Sequence, residues 1–136
     1  MGEAWEWISF QGWQERAHDT LQHSPLWQSV VYRKAMYLYD LTWEDSRLLA
    51  QDFRGKAIAQ QLIRSVGSIS ANLEESYGRG VRTPDSRRIL RIALGEARES
   101  KGWYLRSHHL LPEEVMTHRL NLLEEIIRLL VRAIRT

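Results

Sequence analysis

An all-α protein, an antiparallel up-down-up-down four-helix bundle with a short extra N-terminal helix, follows from three features of this 136-residue chain. Met116, Leu120, Leu123, Ile127, Leu130 and Ile134 recur at steps of four and three, which keeps them on one helical face to the last turn. Segments of about 24 residues, roughly 36 Å each at 1.5 Å per residue, are separated by proline and glycine punctuation. No strand-like alternation of apolar and polar residues competes with this pattern.

The first long helix is predicted from Ser24-Pro25, with serine as N-cap and proline in the first turn, through Trp27, Val31, Leu38 and Leu41 to about Leu49. The second spans about Phe53 to Tyr77 and carries Ala59, Leu62, Val66, Ile69 and Leu73 on one face. It stops at Gly78-Arg79-Gly80, where glycine can take the left-handed backbone that ends helices. The third opens with Thr83 as cap, Pro84 at the first position and Asp85 at the positive end of the helix dipole, and runs to about His108. The fourth starts at Pro112-Glu113-Glu114. Short connections after the second and third helices place neighbours antiparallel.

Residues 1–23 form an acidic, tryptophan-rich extension ahead of a bundle domain at 24–136. Phe10, Trp13, Ala17 and Leu21 share one helical face, with Trp5 and Trp7 just before it. Such a segment covers apolar surface, either on its own bundle or on a neighbouring subunit.

With 43% hydrophobic residues, the chain suits one domain. It has no cysteine, which excludes a disulfide framework and a thiol nucleophile. Its opening, broken by Glu3, Glu6 and Glu15, lacks the basic start of an export signal, and no apolar run approaches the ~20 residues of a membrane span. A cytoplasmic protein with no membrane contact is expected.

The net charge of +2 is unevenly spread. Residues 1–24 carry Glu3, Glu6, Glu15 and Asp19 against Arg16 alone, a net of −3, so the rest of the chain holds +5. Only Lys34, Lys56 and Lys101 among the 19 basic residues are lysines. Guanidinium forks pair bidentately with phosphate or carboxylate, which suits nucleic acid, an acidic partner or internal salt bridges.

The run QLIRSVGSISANLEESYGRG, followed by RRILRIALGEARES, resembles the 23S ribosomal RNA intervening-sequence protein family of bacterial four-helix bundles, over about residues 27 to 135. Ser68, Ile69, Asn72, Glu75, Tyr77, Gly78 and Arg79 match the family signature, as do Ile92-Ala93-Leu94-Gly95 and Glu99 further on. Leu38-Tyr39-Asp40-Leu41-Thr42 looks like the end of the family's first helix. Ser70 stands where the signature has proline and Ser76 where it has glycine, so the second helix should be straighter and its end less sharply turned. The resemblance implies a pentameric ring without known catalysis or cofactor. Similar proteins include the accessory variability determinant of diversity-generating retroelements, a basic pentamer that binds nucleic acid and works with a reverse transcriptase; others are encoded inside ribosomal RNA insertions.

Read from the residues alone, the third helix carries the candidate site. At 100° per residue, Arg87, Arg91 and Arg98 fall within about 40° of one another, with Lys101 to one side and Arg88 and Arg106 to the other. Arg79 and Arg82 in the preceding hinge extend this flank, so a phosphate backbone can run along the bundle end and down the helix. Leu94 and Leu105 share the sector, which keeps a protein interface open; Ile92 and Trp103, on the acidic side, suggest a second packing surface. A pure assembly module without nucleic-acid binding is the alternative. Arg128, Arg132 and Arg135 form a further stripe on the fourth helix, where pairing of Glu124 with Arg128 suggests a solvated face.

Asn72 and Glu75 read as structural polar groups of the helix two-three junction, and Ser68, Ser70 and Ser76 as hydrogen-bonding partners. No catalytic residue, metal or cofactor is assigned. Glu15 and His18 have the Glu-x-x-His spacing of di-iron bundles, in a single copy where two are required. His108, His109 and His118, with Glu113 and Glu114, could converge near the helix three-four turn, and histidine there also suits a helix end. Arg16 and His23 are spaced like the motif of all-helical toxin ribonucleases but lie in the acidic segment.

Overall fold

The computed structural model describes residues 6–136, so Glu3 and Trp5 lie outside the described residues. Four long helices carry the fold: α3 (Val30–Leu49), α4 (Phe53–Gly78), α5 (Pro84–Arg106) and α6 (Glu113–Arg135). Two short ones precede them, α1 (Phe10–Arg16) and α2 (Asp19–Gln22). Each long helix packs on the next, and α6 closes back on α3.

Pairings across each interface run in opposite order along the two partners. Tyr32 donates to Glu74 (2.7 Å) near one end of α3 and α4, whereas Leu49 meets Gly55 at the other. Ser76 meets Ser86 (2.7 Å) and Ser65 meets Ser100 (2.9 Å) between α4 and α5. Lys101 pairs with Glu124, and Arg87 donates to a main-chain oxygen of Thr136, between α5 and α6. Adjacent helices are therefore antiparallel.

Leu62, Val66, Ile69, Ala93, Ala97, Leu123, Ile126 and Leu130 are fully buried, so the α4 ladder lies on the bundle axis, whereas α6 also turns Val115, Leu122 and Ile126 inward and leaves Leu120, Ile127 and Ile134 of its expected face half-buried. The tight α3–α4 corner depends on Gly55. A Cβ there would lie 2.2 Å from the Leu49 carbonyl oxygen, and backbone cannot give way as a side chain can.

Two expected boundaries move. Ser24 does cap a turn, but that turn is a 3-10 segment (Pro25–Gln28), and Ser29 restarts the chain by capping α3 through the Tyr32 amide. The continuous N-terminal helix is also interrupted, because Ala17 and His18 are extended and His18 Nδ1 accepts from the Thr20 amide to begin α2. At the end of α4, Gly78 stays helical and, of the two glycines, it is Gly80 that takes positive φ, at 94°. α4 runs unbroken through Ser70, where a proline would have removed a helical hydrogen bond.

The N-terminal segment packs on its own bundle. Trp13 is buried and donates to Asp40 (2.7 Å), Tyr37 Oη donates to the Ile8 carbonyl (2.6 Å), and Gln14 accepts from Arg33 (2.6 Å). Phe10 adds its ring to Tyr37 at 5.4 Å between centroids.

Beneath this cover lies a buried ionic network. Arg119 of α6 is 1% exposed and grips Asp45 of α3, itself 0% exposed, through Nε (2.8 Å) and a terminal nitrogen (2.9 Å). Tyr104 of α5 donates to the same carboxylate (2.6 Å), and Thr42 donates in turn to Tyr104 (2.8 Å). Burial opposes the Arg119 charge, but its hydrogen bonds and Coulomb attraction to Asp45 raise its pKa all the same. Burial, then Asp45, pushes the Tyr104 phenol well above its usual range. Trp7 lies over the guanidinium at 4.8 Å, while His118 packs on Trp7 at a tilt of 48° and accepts from Arg119 through Nδ1 (2.8 Å).

Two outcomes follow from this network. Arg119→Met strands a buried carboxylate and should cost about 3–5 kcal/mol in urea unfolding, with more than half recovered when Asp45→Asn is added. Burial and then the Arg119 charge hold the His118 pKa below its ordinary 6.5, so the fold favours the neutral ring. As pH falls, the unfolded chain takes up that proton first. This contribution is complete above about pH 6.5 and is lost below it towards the folded pKa; a pH series of melts should show this limb flattened in His118→Gln.

Candidate nucleic-acid interface

Three helix ends meet at the pole opposite the buried ion pair, namely the end of α4, the start of α5 and the end of α6. Thr83 caps α5 through the Ser86 amide (3.1 Å), and Ser76 donates to the Ser86 carbonyl, which locks the α4–α5 corner. The hinge between them carries Arg82 at φ 65°, a left-handed backbone that costs a residue with a Cβ about 1–2 kcal/mol.

The expected phosphate-binding residues divide into two groups. Arg79 is ion-paired with Glu75 (2.6 Å) and Asp85 (3.0 Å), Arg88 shares Asp85 (3.0 Å), and Lys101 pairs with Glu124. These contacts hold Asp85 below the usual carboxylate range, Arg88 first and Arg79 second, and raise Arg79. Arg82, Arg91 and Arg98 have no carboxylate partner among the described residues, and Arg87 donates to a main-chain oxygen of Thr136 (3.0 Å).

The α6 stripe belongs to the same face. Glu124 is committed to Lys101, which lowers its pKa first by hydrogen bonding and then by charge, with Arg128 and Arg98 adding only Coulomb attraction. The anticipated Glu124–Arg128 pair is therefore replaced by a bond between helices. Pairing 101 with 124 and 87 with 136 sets the register, so Arg98 lies level with Arg128 and Arg91 with Arg132. Arg135 extends the row towards Arg82 and the hinge. The sequence contained this signal, since antiparallel α5 and α6 require the N-terminal half of one to face the C-terminal half of the other.

Leu94, which shared the arginine sector, is half-buried and packs on the core, so it is explained within the bundle. Leu105 remains 49% exposed and Ile92 42% exposed, while Trp103 is half-buried and donates to Glu99 (2.9 Å). Glu99 and Glu96 also bind Arg64 of α4, which explains why the acidic side of α5 faces that helix.

The signature residues Ser68 and Asn72, and Ser70 where the signature has proline, have local partners. Ser68 donates to the Arg64 carbonyl (2.9 Å), Asn72 to the Ser68 carbonyl (2.7 Å) and Ser70 to the Gly67 carbonyl (3.4 Å).

The alternative chemistries are not assembled. His108 and His109 lie against each other at 4.0 Å, whereas His118 sits between Trp7 and Tyr37. Among the described residues no group of three or more His, Cys, Asp or Glu could hold a metal ion. Glu15 accepts from Gln11 (3.1 Å) and His18 caps α2, while exposed Arg16 and His23 end separate short helices. No helix among the described residues is long and apolar enough to cross a membrane.

The family described as 23S rRNA-intervening sequence protein matches residues 28–132. The chain belongs to that family. Its match begins at the last residue of the 3-10 turn, so α1 and α2 lie outside it. Among solved structures the chain is similar to the crystal structure of a protein with unknown function from the S23 ribosomal protein family of Bacteroides thetaiotaomicron VPI-5482. The two are 26% identical, with a TM-score of 0.69 over 79% of this chain and 100% of that one. A comparison with curated proteins finds no match.

Arg82 combines strain with a free charge, which separates its two roles. Arg82→Gly should leave the melting temperature unchanged or raise it slightly, because relief of the left-handed backbone offsets the extra freedom of glycine when unfolded. Calorimetric melting checks this, and a marked fall in stability would show that Arg82 is held by contacts rather than tolerated at the hinge.

Proposed function

We propose that this protein is a non-enzymatic scaffold, working as a homo-oligomer, that binds RNA or DNA through the arginine face of α5 and α6 without reading sequence. One observation carries the proposal: Arg82, Arg91, Arg98, Arg128, Arg132 and Arg135 occupy one pole and flank with no carboxylate partner among the described residues. Elsewhere on the bundle, Arg47, Arg54 and Arg64 each have a carboxylate in reach, while Arg33 donates to Gln14 and Arg106 lies over the Trp103 ring. Guanidiniums left in water on rigid helices can each take a phosphate oxygen pair and release its counterion. The engagement of His18, His23 and His118 in caps, backbone contacts and packing, with His108 and His109 lying against each other, supports the non-enzymatic part.

Exposed apolar side chains support the oligomeric part. Trp43 (60% exposed), Phe53 (84%) and Ile92 lie off the arginine face, so copies can join without covering it. Repetition of a weak phosphate-binding face around an oligomer multiplies its effective affinity. The pentamer and the reverse-transcriptase partner implied by the resemblance fit such a scaffold, and the arginine face does not depend on either. Assembly without nucleic acid is the second reading, favoured by the same exposed rings.

Fluorescence anisotropy with labelled RNA and DNA duplexes at stepped salt concentrations tests the proposal. Arg91→Glu/Arg98→Glu should weaken binding of all sequences alike and flatten the log–log salt slope by about 0.9 per lost duplex phosphate contact. Lys56→Glu, at the other pole, should leave both unchanged. Equal affinity of the arginine variant and the parent would favour the assembly-only reading.

A further inference from the structure

At the hinge pole the arginine face meets a surface of different chemistry. Tyr77, in the last turn of α4, is 47% exposed, and Val81, beside Arg82 in the hinge, is 67% exposed. Positive φ at Gly80 (94°) and at Arg82 (65°) turns the backbone on either side of Val81 and leaves that side chain in water.

The other tyrosines are engaged within the bundle. Tyr32, Tyr37 and Tyr104 donate their hydroxyls to Glu74, the Ile8 carbonyl and Asp45, and Tyr39 lies against Trp43 at 6.4 Å between centroids. Tyr77 has no hydrogen-bond or ring partner among the described residues. The acids of this pole are engaged too, Glu75 and Asp85 with Arg79, and Glu74 with the Tyr32 hydroxyl. Five residues separate Tyr77 from Arg82, which keeps ring and unpaired charge within about 18 Å of each other. Arg87, which donates to a main-chain oxygen of Thr136, brings the end of α6 and Arg135 to the same place.

Cations alone suffice for the phosphates of a duplex, whose base faces are stacked out of reach of an exposed ring. A single strand presents phosphates and free base faces together, and every base has such a face. An acidic protein surface matches the guanidiniums and gives the ring nothing planar to lie on. Resting on the nucleic-acid reading above, we propose that the arginine face takes a single strand in preference to a duplex. Its phosphates lie along Arg91, Arg98 and Arg132, and a base stacks on Tyr77 beside Arg82. Stacking is indifferent to base identity, in keeping with binding that reads no sequence.

Fluorescence anisotropy of the full chain tests this with labelled oligothymidylate and oligouridylate of about 20 nucleotides, each alone and annealed to its complement. The parent should bind the single strand about tenfold more tightly than the matching duplex, and the tighter of the two strands shows which sugar the pole accepts. Tyr77→Ala and Tyr77→Leu should each weaken that strand by about tenfold and leave duplex affinity and the salt slope unchanged, because a stacked base releases no counterion. Leucine keeps apolar cover at the helix end, so its effect isolates loss of the flat ring, and Tyr77→Phe should retain parental binding. Arg91→Glu/Arg98→Glu should weaken both forms.

Duplex bound as tightly as single strand, or single-strand binding unchanged in Tyr77→Ala, would overturn the preference and leave the arginine face standing. No binding of either form would overturn both readings. A loss in Tyr77→Phe equal to that in Tyr77→Ala would assign the effect to the hydroxyl and overturn the stacking. A smaller sedimenting species in Tyr77→Ala would make the ring a subunit contact and overturn it too.

Discussion

Asp45 and Arg119 come from helices 74 residues apart in sequence, and neither charge can leave water without the other. The desolvation of two ions is returned only if both nitrogens and both oxygens meet at hydrogen-bond distance, which allows one relative placement of α3 and α6. A slip of one turn, about 5.4 Å, would part them. Tyr104 brings α5 into the same arrangement by donating to the shared carboxylate. Three helices are thus fixed in register at one pole by a network that adds little net stability compared with an apolar core, but excludes neighbouring alignments. Trp7 then covers the guanidinium, so the N-terminal segment, which lies outside the family match, completes the burial of a charge that belongs to the family bundle.

Register at that pole determines what assembles at the other. With α3, α5 and α6 locked near Asp45, the antiparallel geometry carries the start of α5 and the end of α6 side by side roughly 25–30 Å away, at 1.5 Å per residue. The carboxylates near this second pole, Glu75 and Asp85, are already committed to Arg79 and Arg88, and along the α5–α6 seam Glu124 is committed to Lys101. These bonds hold the α4–α5 corner and the α5–α6 seam together. They also leave the remaining guanidiniums without internal partners. The cationic face is therefore a product of which ion pairs the bundle needs, as much as of how many arginines the chain has.

Periodicity and punctuation made the four long helices legible, because Pro84, Thr83, Gly80 and the α6 ladder each act within a few residues. Boundaries failed where two signals of the same kind lay close together. Ser24 and Ser29 are both good caps, and only packing of the aromatic cover on α3 selects the second for the long helix. The Asp45–Arg119 pair was not legible, since an acid and a base on separate helices look like any other exposed charges until the helices are aligned. The arginines of α6 fall between these cases. Their stripe was visible, yet the local rule that pairs residues four apart assigned Glu124 to Arg128, whereas the neighbouring helix supplies a closer ammonium in Lys101.

Like charges collected on one face repel, and a sequence under pressure for stability alone would scatter them or alternate them with acids. Part of the repulsion is offset, since Arg132 and Arg135 sit in the last turn of α6, where the helix dipole favours cations. Arg91 and Arg98 have no such compensation, because they lie in the body of α5, with water on one side and the half-buried Leu94 between them. Arg82 adds backbone strain to unpaired charge at the hinge. Strain and repulsion at one pole are sustainable because the buried network holds the opposite pole in register. That combination, a rigid anchor at one end and uncompensated cations at the other, is what a protein requires to present charge to a polyanion without rearranging when it binds.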